Sequence, residues 1–505
     1  MPNTNPQKTN AKSIYLAAVI LFVVFTCYIV TAIQRQYRVH EERSDSLLIS
    51  PKIVKFGGEK ISGELFRGME TARFEKNKEL IAEIKKVMAQ NETPSEIFKN
   101  NLSGNVNIAV ALNNAFHLEN SDELNTLRDA APKEDTWGIS GETLESLNEI
   151  LTRFESKRLT IRNLLNRSDS CFYFIFEQDE EFGEIIDLQA ADYLEDYLLL
   201  EEYAIAVALR DGRIEDALDS LVYIFRIAQL ASAISVPSAR SAAALIRLRA
   251  VDIMQTVILE PKFKKRYLNG LYEMIKEQLE HWTPDRAVWV ADRASGLKTY
   301  HRILQYGLEA ALTPTEIDEL EKRDLLEVIT RKQKKRKKNT DDNKNENENN
   351  EVKETILLKN NFLHGHVSDE IFYLRSMQKV IDASEKPFYQ RHSELSEVTD
   401  EVVRAMDKKS APIIAELLLR GIVESMRLHA QDRAACEMTF LAMSVSLEKP
   451  TFASLTSNPL SEKGYNLNQI NENEDNPKKK YIQVSFPNNR KPFKVPDYRV
   501  KKIND

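Results

Sequence analysis

Tyr193 to Leu209 reads YLEDYLLLEEYAIAVAL, apolar on nearly every side, and implies a helix buried over most of its circumference. Asp211-Gly212 breaks it. Ile214, Ala217, Leu218, Leu221, Phe225 and Ala228 then recur at helical spacing and form one face of a second helix. After Val236-Pro237, a third helix carries Ala242, Ile246, Ala250, Ile253 and Val257 as its stripe. Glu260-Pro261 opens a fourth, which Asn269-Gly270 is expected to interrupt, and Thr283-Pro284 opens a fifth running to about Glu309. Proline disfavours α conformation in the residue before it and suits the first helical position. Glycine after a helix takes the left-handed cap, so these marks fall where helix ends belong.

Composition points the same way. Glycine (15) and proline (17) are scarce in 505 residues, roughly half their usual share. Sheet sandwiches and Gly-rich nucleotide folds need more turn residues than this. The expected fold class is therefore mainly α: an N-terminal transmembrane helix, an α-helical array with repeat-like hairpins, a small β-hairpin near the N-terminus and an irregular C-terminal tail.

On the N-terminal side of the array, Leu144, Leu147, Leu151 and Phe154 give an amphipathic helix over Gly141–Arg158. Cys171 to Phe176 is a short aromatic run, a buried strand or a helix end. The acids after it (Glu177, Asp179, Glu180, Glu181, Glu184) lack the alternation and central glycine of a calcium loop and read as a solvated loop. Further back, two alternating runs flank Gly57-Gly58, as in a tight hairpin.

On the C-terminal side, Arg331 to Lys353 has a single apolar side chain, Val352, and cannot repay its ordering entropy by burial. One continuous helix is expected from Ser410 to about Leu447, and six prolines in the last 56 residues end helical periodicity, leaving Ile482 to Phe486 as one alternating strand. The chain thus divides into a polar tail (1–12), a transmembrane helix (13–33) and a mixed juxtamembrane region with the short hairpin (34–140). A central helical domain (141–330), a disordered charged linker (331–355), C-terminal helices packing on the central domain (356–449) and a Pro-rich irregular tail (450–505) complete it.

The transmembrane expectation rests on Ser13 to Ile33, SIYLAAVILFVVFTCYIVTAI, which is 21 residues without a charge. At 1.5 Å per residue it spans about 31 Å, against about 30 Å of hydrocarbon. A cleaved secretory signal is the alternative, since Lys8 and Lys12 precede the run and Val30 and Ala32 are small, but the run exceeds the usual 7–15 apolar residues of a signal. A short tail before a long body favours a signal-anchor, with the body outside the cytoplasm.

Ala204 to Leu218, AIAVALRDGRIEDAL, resembles the hairpin of a tetratricopeptide repeat, with small residues on the first helix, a Gly turn and an Ala-Leu pair early in the second. The resemblance covers about 45 residues, Leu188 to Ser232, with no second copy at a 34-residue offset. The whole layout also resembles that of bacterial single-pass envelope proteins to which no activity is assigned. That resemblance implies location and architecture and no catalytic residues. Where their tail carries Asp-Pro-aromatic-x-Gly-x-Pro-Leu, this chain departs, with Asn458-Pro459-Leu460 and Gly464-Tyr465.

No phosphate loop, dinucleotide fingerprint, nucleophile elbow or His-Glu-x-x-His occurs. Cys171 and Cys436 allow one bridge outside the apolar run and no disulfide framework. His364-Gly-His366 with Asp369 and Glu370 has suitable metal donors but reads as a loop entering a helix. Arg331 to Lys338 holds seven basic residues, and without them the net charge of −7 becomes −14, so specific nucleic-acid binding is not expected. Lys262, Lys264, Lys265 and Arg266 would oppose the dipole in a first helical turn, so either that helix starts later, the favoured reading, or the patch meets an anion. No catalytic, cofactor-binding or metal residue is assigned. The expected role is protein–protein interaction or scaffolding at the envelope, with membrane attachment through 13–33 and a protein partner. The alternatives are an envelope enzyme with a motif-less site, and a binder of anionic lipid or polymer through the basic segments.

Overall fold

The structure, a computed structural model, describes residues 78–92, 106–116, 125–128, 141–171, 175–179, 183–187, 189–233, 237–306, 312, 314–332, 352–358, 366–406, 412–451, 458–471, 480–486 and 492–499, apart from 88, 91 and 126. The expected transmembrane helix at 13–33 and the hairpin at Gly57-Gly58 lie outside these residues. Among the described residues no helix is long and apolar enough to cross a membrane.

The described chain is mainly helical. The array is built from α1 (Ile108–Phe116), α2 (Gly141–Leu165), α3 (Gln189–Arg210), α4 (Ile214–Ala233), α5 (Pro237–Leu259) and α6 (Lys265–Glu280). It continues through α7 (Asp285–Tyr306), α8 (Pro314–Lys322), α9 (His366–Ser384), α10 (Phe388–Met406), α11 (Ile413–Leu419) and α12 (Ile422–Leu447). The strands, β1 to β9 in chain order, are Val106–Asn107, Ser170–Cys171, Ile175–Asp179, Gly183–Asp187, Leu326–Lys332, Val352–Leu358, Asn466–Asn471, Lys480–Ser485 and Phe493–Pro496. β1 and β2 pair in parallel, β3–β4 and β5–β6 are antiparallel pairs, and β7–β8–β9 is an antiparallel sheet.

Successive helices pack on one another because each short turn folds an apolar face back on its predecessor. α3 packs on α4, α4 on α5, and α5 on α12. Most of the stripe read from the sequence is buried, Ile214, Ala217, Leu221, Phe225 and Ala228 on α4 and Ile246, Ala250, Ile253 and Val257 on α5, while Leu218 and Ala242 are half-buried. Two cores result. One is filled by α1 to α6, the C-terminal half of α12 and the β7–β8–β9 sheet. The other lies between residues 80–87, α7, α9, α10, α11 and the first turns of α12. α12 therefore runs from one core into the other, with Ile422 and Met426 in the second and Ala434 to Leu447 in the first.

Five expectations are corrected. Asn269-Gly270 does not interrupt α6, which buries Leu268, Leu271, Tyr272, Ile275 and Leu279 on one unbroken stripe. The Ser410–Leu447 helix is two helices, split at Gly421, whose φ of +77° is left-handed backbone costing other residues about 1–2 kcal/mol. The acids Glu177, Asp179 and Glu184 lie in the β3–β4 hairpin, because isoleucines on both strands, with Phe176 on β3, favour pairing over an open loop. The outer residues of the expected linker, Arg331–Lys332 and Val352–Thr355, belong to the seven-residue β5–β6 ladder. The tail forms the β7–β8–β9 sheet, since Ile482 and Val484 alternate into the core and Phe493 and Val495 do the same from β9.

Candidate functional site

α6 ends at Glu280 and α7 begins at Asp285, so Thr283-Pro284 turns the chain and places Trp282 at the junction of the two cores. A cleft of about 280 Å³ opens there, walled by Trp282 and Asp285, by His429, Ala430 and Arg433 of α12, by the α9–α10 turn with Lys386 and Phe388, and by Pro459. Four segments distant in sequence meet at this point.

Three guanidinium groups surround the Trp282 indole, with Arg240, Arg247 and Arg433 at 4.5, 4.6 and 4.9 Å from the ring centroid. Arg247 is buried and paired: its Nη2 lies 2.7 Å from Asp432 Oδ2, and its Nη1 donates to Ser232 Oγ at 3.1 Å. Arg433 donates from Nε to Glu437 at 2.6 Å and from Nη1 to the Leu279 carbonyl at 3.4 Å, leaving Nη2 without a partner among the described residues. Tyr465 donates to the other Glu437 oxygen at 2.6 Å.

Arg240 differs from both. It is 0% exposed, and none of its three guanidinium nitrogens has a hydrogen-bond partner among the described residues. Burial, and then the Arg247 charge, pull it down to about 10, which leaves it protonated at neutral pH. Each cation lining the cleft has a carboxylate: Lys386 pairs with Glu394, Arg391 with Asp285 at 2.9 Å and Arg433 with Glu437. A cation–π contact contributes about 2 kcal/mol when desolvated, whereas an uncompensated buried ion costs several. The Asp432 and Asp285 carboxylates supplement the indole, pulling the Arg240 guanidinium back towards its ordinary value.

His429 is 1% exposed and stacks on Trp289 at 5.9 Å. Its Nε2 is 3.4 Å from Ser241 Oγ, and its Nδ1 has no partner among the described residues. Burial, with Arg240 next, pushes the imidazole down to about 3, so it is neutral at physiological pH. The cleft thus gathers an aromatic plate, a neutral imidazole and the paired guanidinium groups of Arg391 and Arg433, with Arg240 buried outside its lining.

The segments weighed from the sequence lie elsewhere. Asp369 points inward, accepting the Tyr300 hydroxyl and the backbone N–H of Ile414 and Ala415 at 3.0 and 2.7 Å, so it caps α11. Glu370 is buried beside it, and His366 opens α9, while His364 lies outside the described residues. Among the described residues no group of three His, Cys, Asp or Glu is placed to hold a metal ion. α6 starts at Lys265 after an extended Lys264, and its first-turn Arg266 is drawn to Glu215 of α4. Of the basic block, Arg331 and Lys332 are in β5, and 333–338 lie outside the described residues. Neither Cys171 nor Cys436 is in a disulfide. Sequence reasoning missed Trp282, Arg240, His429 and Arg433. The available signal was an arginine pair, Arg240 and Arg247, seven residues apart on a helix buried over much of its surface, where charges need partners. No family model matches the chain, and neither a curated protein nor a solved structure matches it.

Proposed function

We propose that the protein is a membrane-anchored interaction protein of the cell envelope, whose helical body docks a segment of a protein partner at the Trp282 cleft. The observation that carries this reading is the cleft itself. Tryptophan and arginine dominate binding hot spots, and here Trp282, with Arg433 over its ring, and Arg391 wall a recess at the meeting of two cores. The uncharged run at 13–33 supports the anchor, and the α3–α4 hairpin supports a tetratricopeptide-like unit within the array. An enzyme working in this cleft would need a proton-exchanging group poised near neutrality. His429, held neutral down to about pH 3, does not offer one.

A photo-crosslinking residue placed at Lys386 on the cleft rim tests the docking in intact cells, with one at exposed Leu159 on α2 as the control. A discrete adduct from the first position alone, lost in Trp282→Ala, is the expected outcome; equal labelling from both positions overturns the reading. Membrane fractionation tests the anchor. The chain should stay with membranes after an alkaline wash and leave them when 13–33 is deleted.

A further inference from the structure

We infer that β7 is a self-association edge, on which the β7 strand of a second copy of this chain pairs antiparallel across a two-fold axis to make one six-stranded sheet. None of its residues lines the Trp282 cleft, and the inference stands apart from docking there.

The order β7–β8–β9 leaves the sheet two edges, and the fold treats them differently. At β9, α5 packs on the strand and Gln255 closes on the N–H and carbonyl of Lys494. At β7, the main-chain groups facing away from β8 have no partner among the described residues. Such a row of free N–H and C=O groups is a template for another strand, and folds that must avoid pairing block it with charges, proline or a bulge. β7 has none of these. It reads Asn466-Leu-Asn-Gln-Ile-Asn471, without a charge, and its register with β8 is unbroken over all six residues. Charged residues stop short of it, at Glu462 and Lys463 on one side and Glu472 on the other. Leu467 is left 41% exposed within the strand.

Symmetry and charge identify the occupant. A two-fold axis normal to the sheet sets each residue opposite one on the same face, so a charge near the axis would meet its own copy. β7 has no charge to oppose. Centred on Asn468, the axis puts that amide opposite its twin, where each side chain can both donate and accept. Asn468 is exposed and bonds to nothing among the described residues, whereas Gln469 is committed to Asp497 Oδ2 at 2.6 Å. The same register sets the two Leu467 side chains diagonally across the axis, about 7–8 Å apart, so that each helps to cover the other. Because β9 is already occupied, pairing ends at two chains and does not propagate. Six residues a side make a small interface, so the dimer is weak and reversible.

Sedimentation equilibrium of the purified 505-residue chain in density-matched detergent tests the pairing over about 1–100 µM, a range suited to a small interface. The wild type should pass from one chain to two as concentration rises. Leu467→Lys should weaken association tenfold or more, because the edge then carries a charge beside its twin. If that variant does not fold, Asn468→Lys, also at an exposed position, places like charges on the axis and decides the matter. Directly opposed Cβ atoms lie about 4.5–5.5 Å apart, so mild oxidation of Asn468→Cys should give a reducible dimer well beyond that seen with the wild type or with Leu159→Cys on α2. A wild type that stays monomeric, association undiminished in the lysine variants, or growth beyond two chains overturns the inference. In intact cells, Asn468→Cys joined to a different protein and not to its twin assigns the edge to a foreign strand and overturns it as well.

Discussion

Asp432 and Asp369 are both buried carboxylates, yet they are held in opposite ways. Asp432 faces the Arg247 fork with both side chains nearly inaccessible, at 1% and 2% exposure. Truncating one partner of such a pair strands the other charge, so Asp432→Ala should cost about 3–5 kcal/mol in urea denaturation. A loss under about 1 kcal/mol would show that Arg247 finds another partner. Asp369 has no cation in its cap of α11. Burial pushes its carboxyl up to about 7, while the Tyr300 hydroxyl and the backbone N–H groups of Ala415 and Ile414 pull the other way. Between its ordinary value of 3.8 and about 7, the folded chain holds a proton that the unfolded chain has released. Stability contributed by this group is therefore present at low pH and is lost as pH rises through that window. Asp369→Asn removes the titration. The wild type should lose stability relative to this variant by up to about 1.4 kcal/mol per pH unit from pH 4 to pH 7, and parallel curves would sink the assignment.

Helix against helix, α7 and α9 come close at Gly296, where Tyr373 of α9 crosses. A Cβ built at Gly296 would lie 2.1 Å from the Tyr373 hydroxyl oxygen and 2.3 Å from the ring carbon bearing it. That ring is buried, and its hydroxyl donates to the Asp292 carbonyl at 3.0 Å, so it has little room to withdraw. Gly296→Ala should cost about 1–3 kcal/mol through overpacking, visible as a lower urea midpoint, whereas Gly270→Ala should be neutral or stabilising. At Gly270 an added Cβ meets nothing within 4 Å. These glycines show how far the elements could be read in advance. The proline marks at Pro237 and Pro284 located helix starts because proline acts locally, through its own ring. Gly270 and Gly421 carry the same local signal and have opposite outcomes: one is inside α6 and the other divides α11 from α12. Only packing distinguishes them. The β5–β6 ladder was hidden in the same way, since its alternation runs out into charged residues that composition assigns to a linker. The cleft was less legible still. Its parts come from positions 282 to 459, and no short-range spacing connects a turn before α7 to the α9–α10 turn and a histidine on α12.

Across the whole molecule, the C-terminal segment closes the structure that the central helices begin. Ile482, Val484, Phe486, Phe493 and Val495 are buried in the same core as α5, α6 and α12. Gln255 of α5 fixes the edge of β9, donating to the Lys494 carbonyl at 2.8 Å and accepting its N–H at 2.5 Å. Ser446 of α12 donates to the Pro496 carbonyl at 2.5 Å. At roughly 1.5–3 kcal/mol for each buried apolar side chain, these five residues contribute on the order of the whole net stability of a domain, about 5–15 kcal/mol. The same segment supports the cleft. Pro459 lines it and accepts the Tyr389 N–H at 3.3 Å, and Tyr465 holds the Glu437 that holds Arg433. A chain ending at Lys449 should therefore lose its cooperative thermal transition, or melt at least 10 °C lower, and be cut rapidly by protease within α5 and α12. Val484→Ala, which keeps the sheet and removes two methyl groups, should cost only about 1–3 kcal/mol and leave the transition cooperative. If the shortened chain melts within about 2 °C of the full one, the sheet is an appendage and the first core is complete without it. If it melts low while the single substitution is mild, residues beyond 449 form the last wall of the core and one side of the cleft.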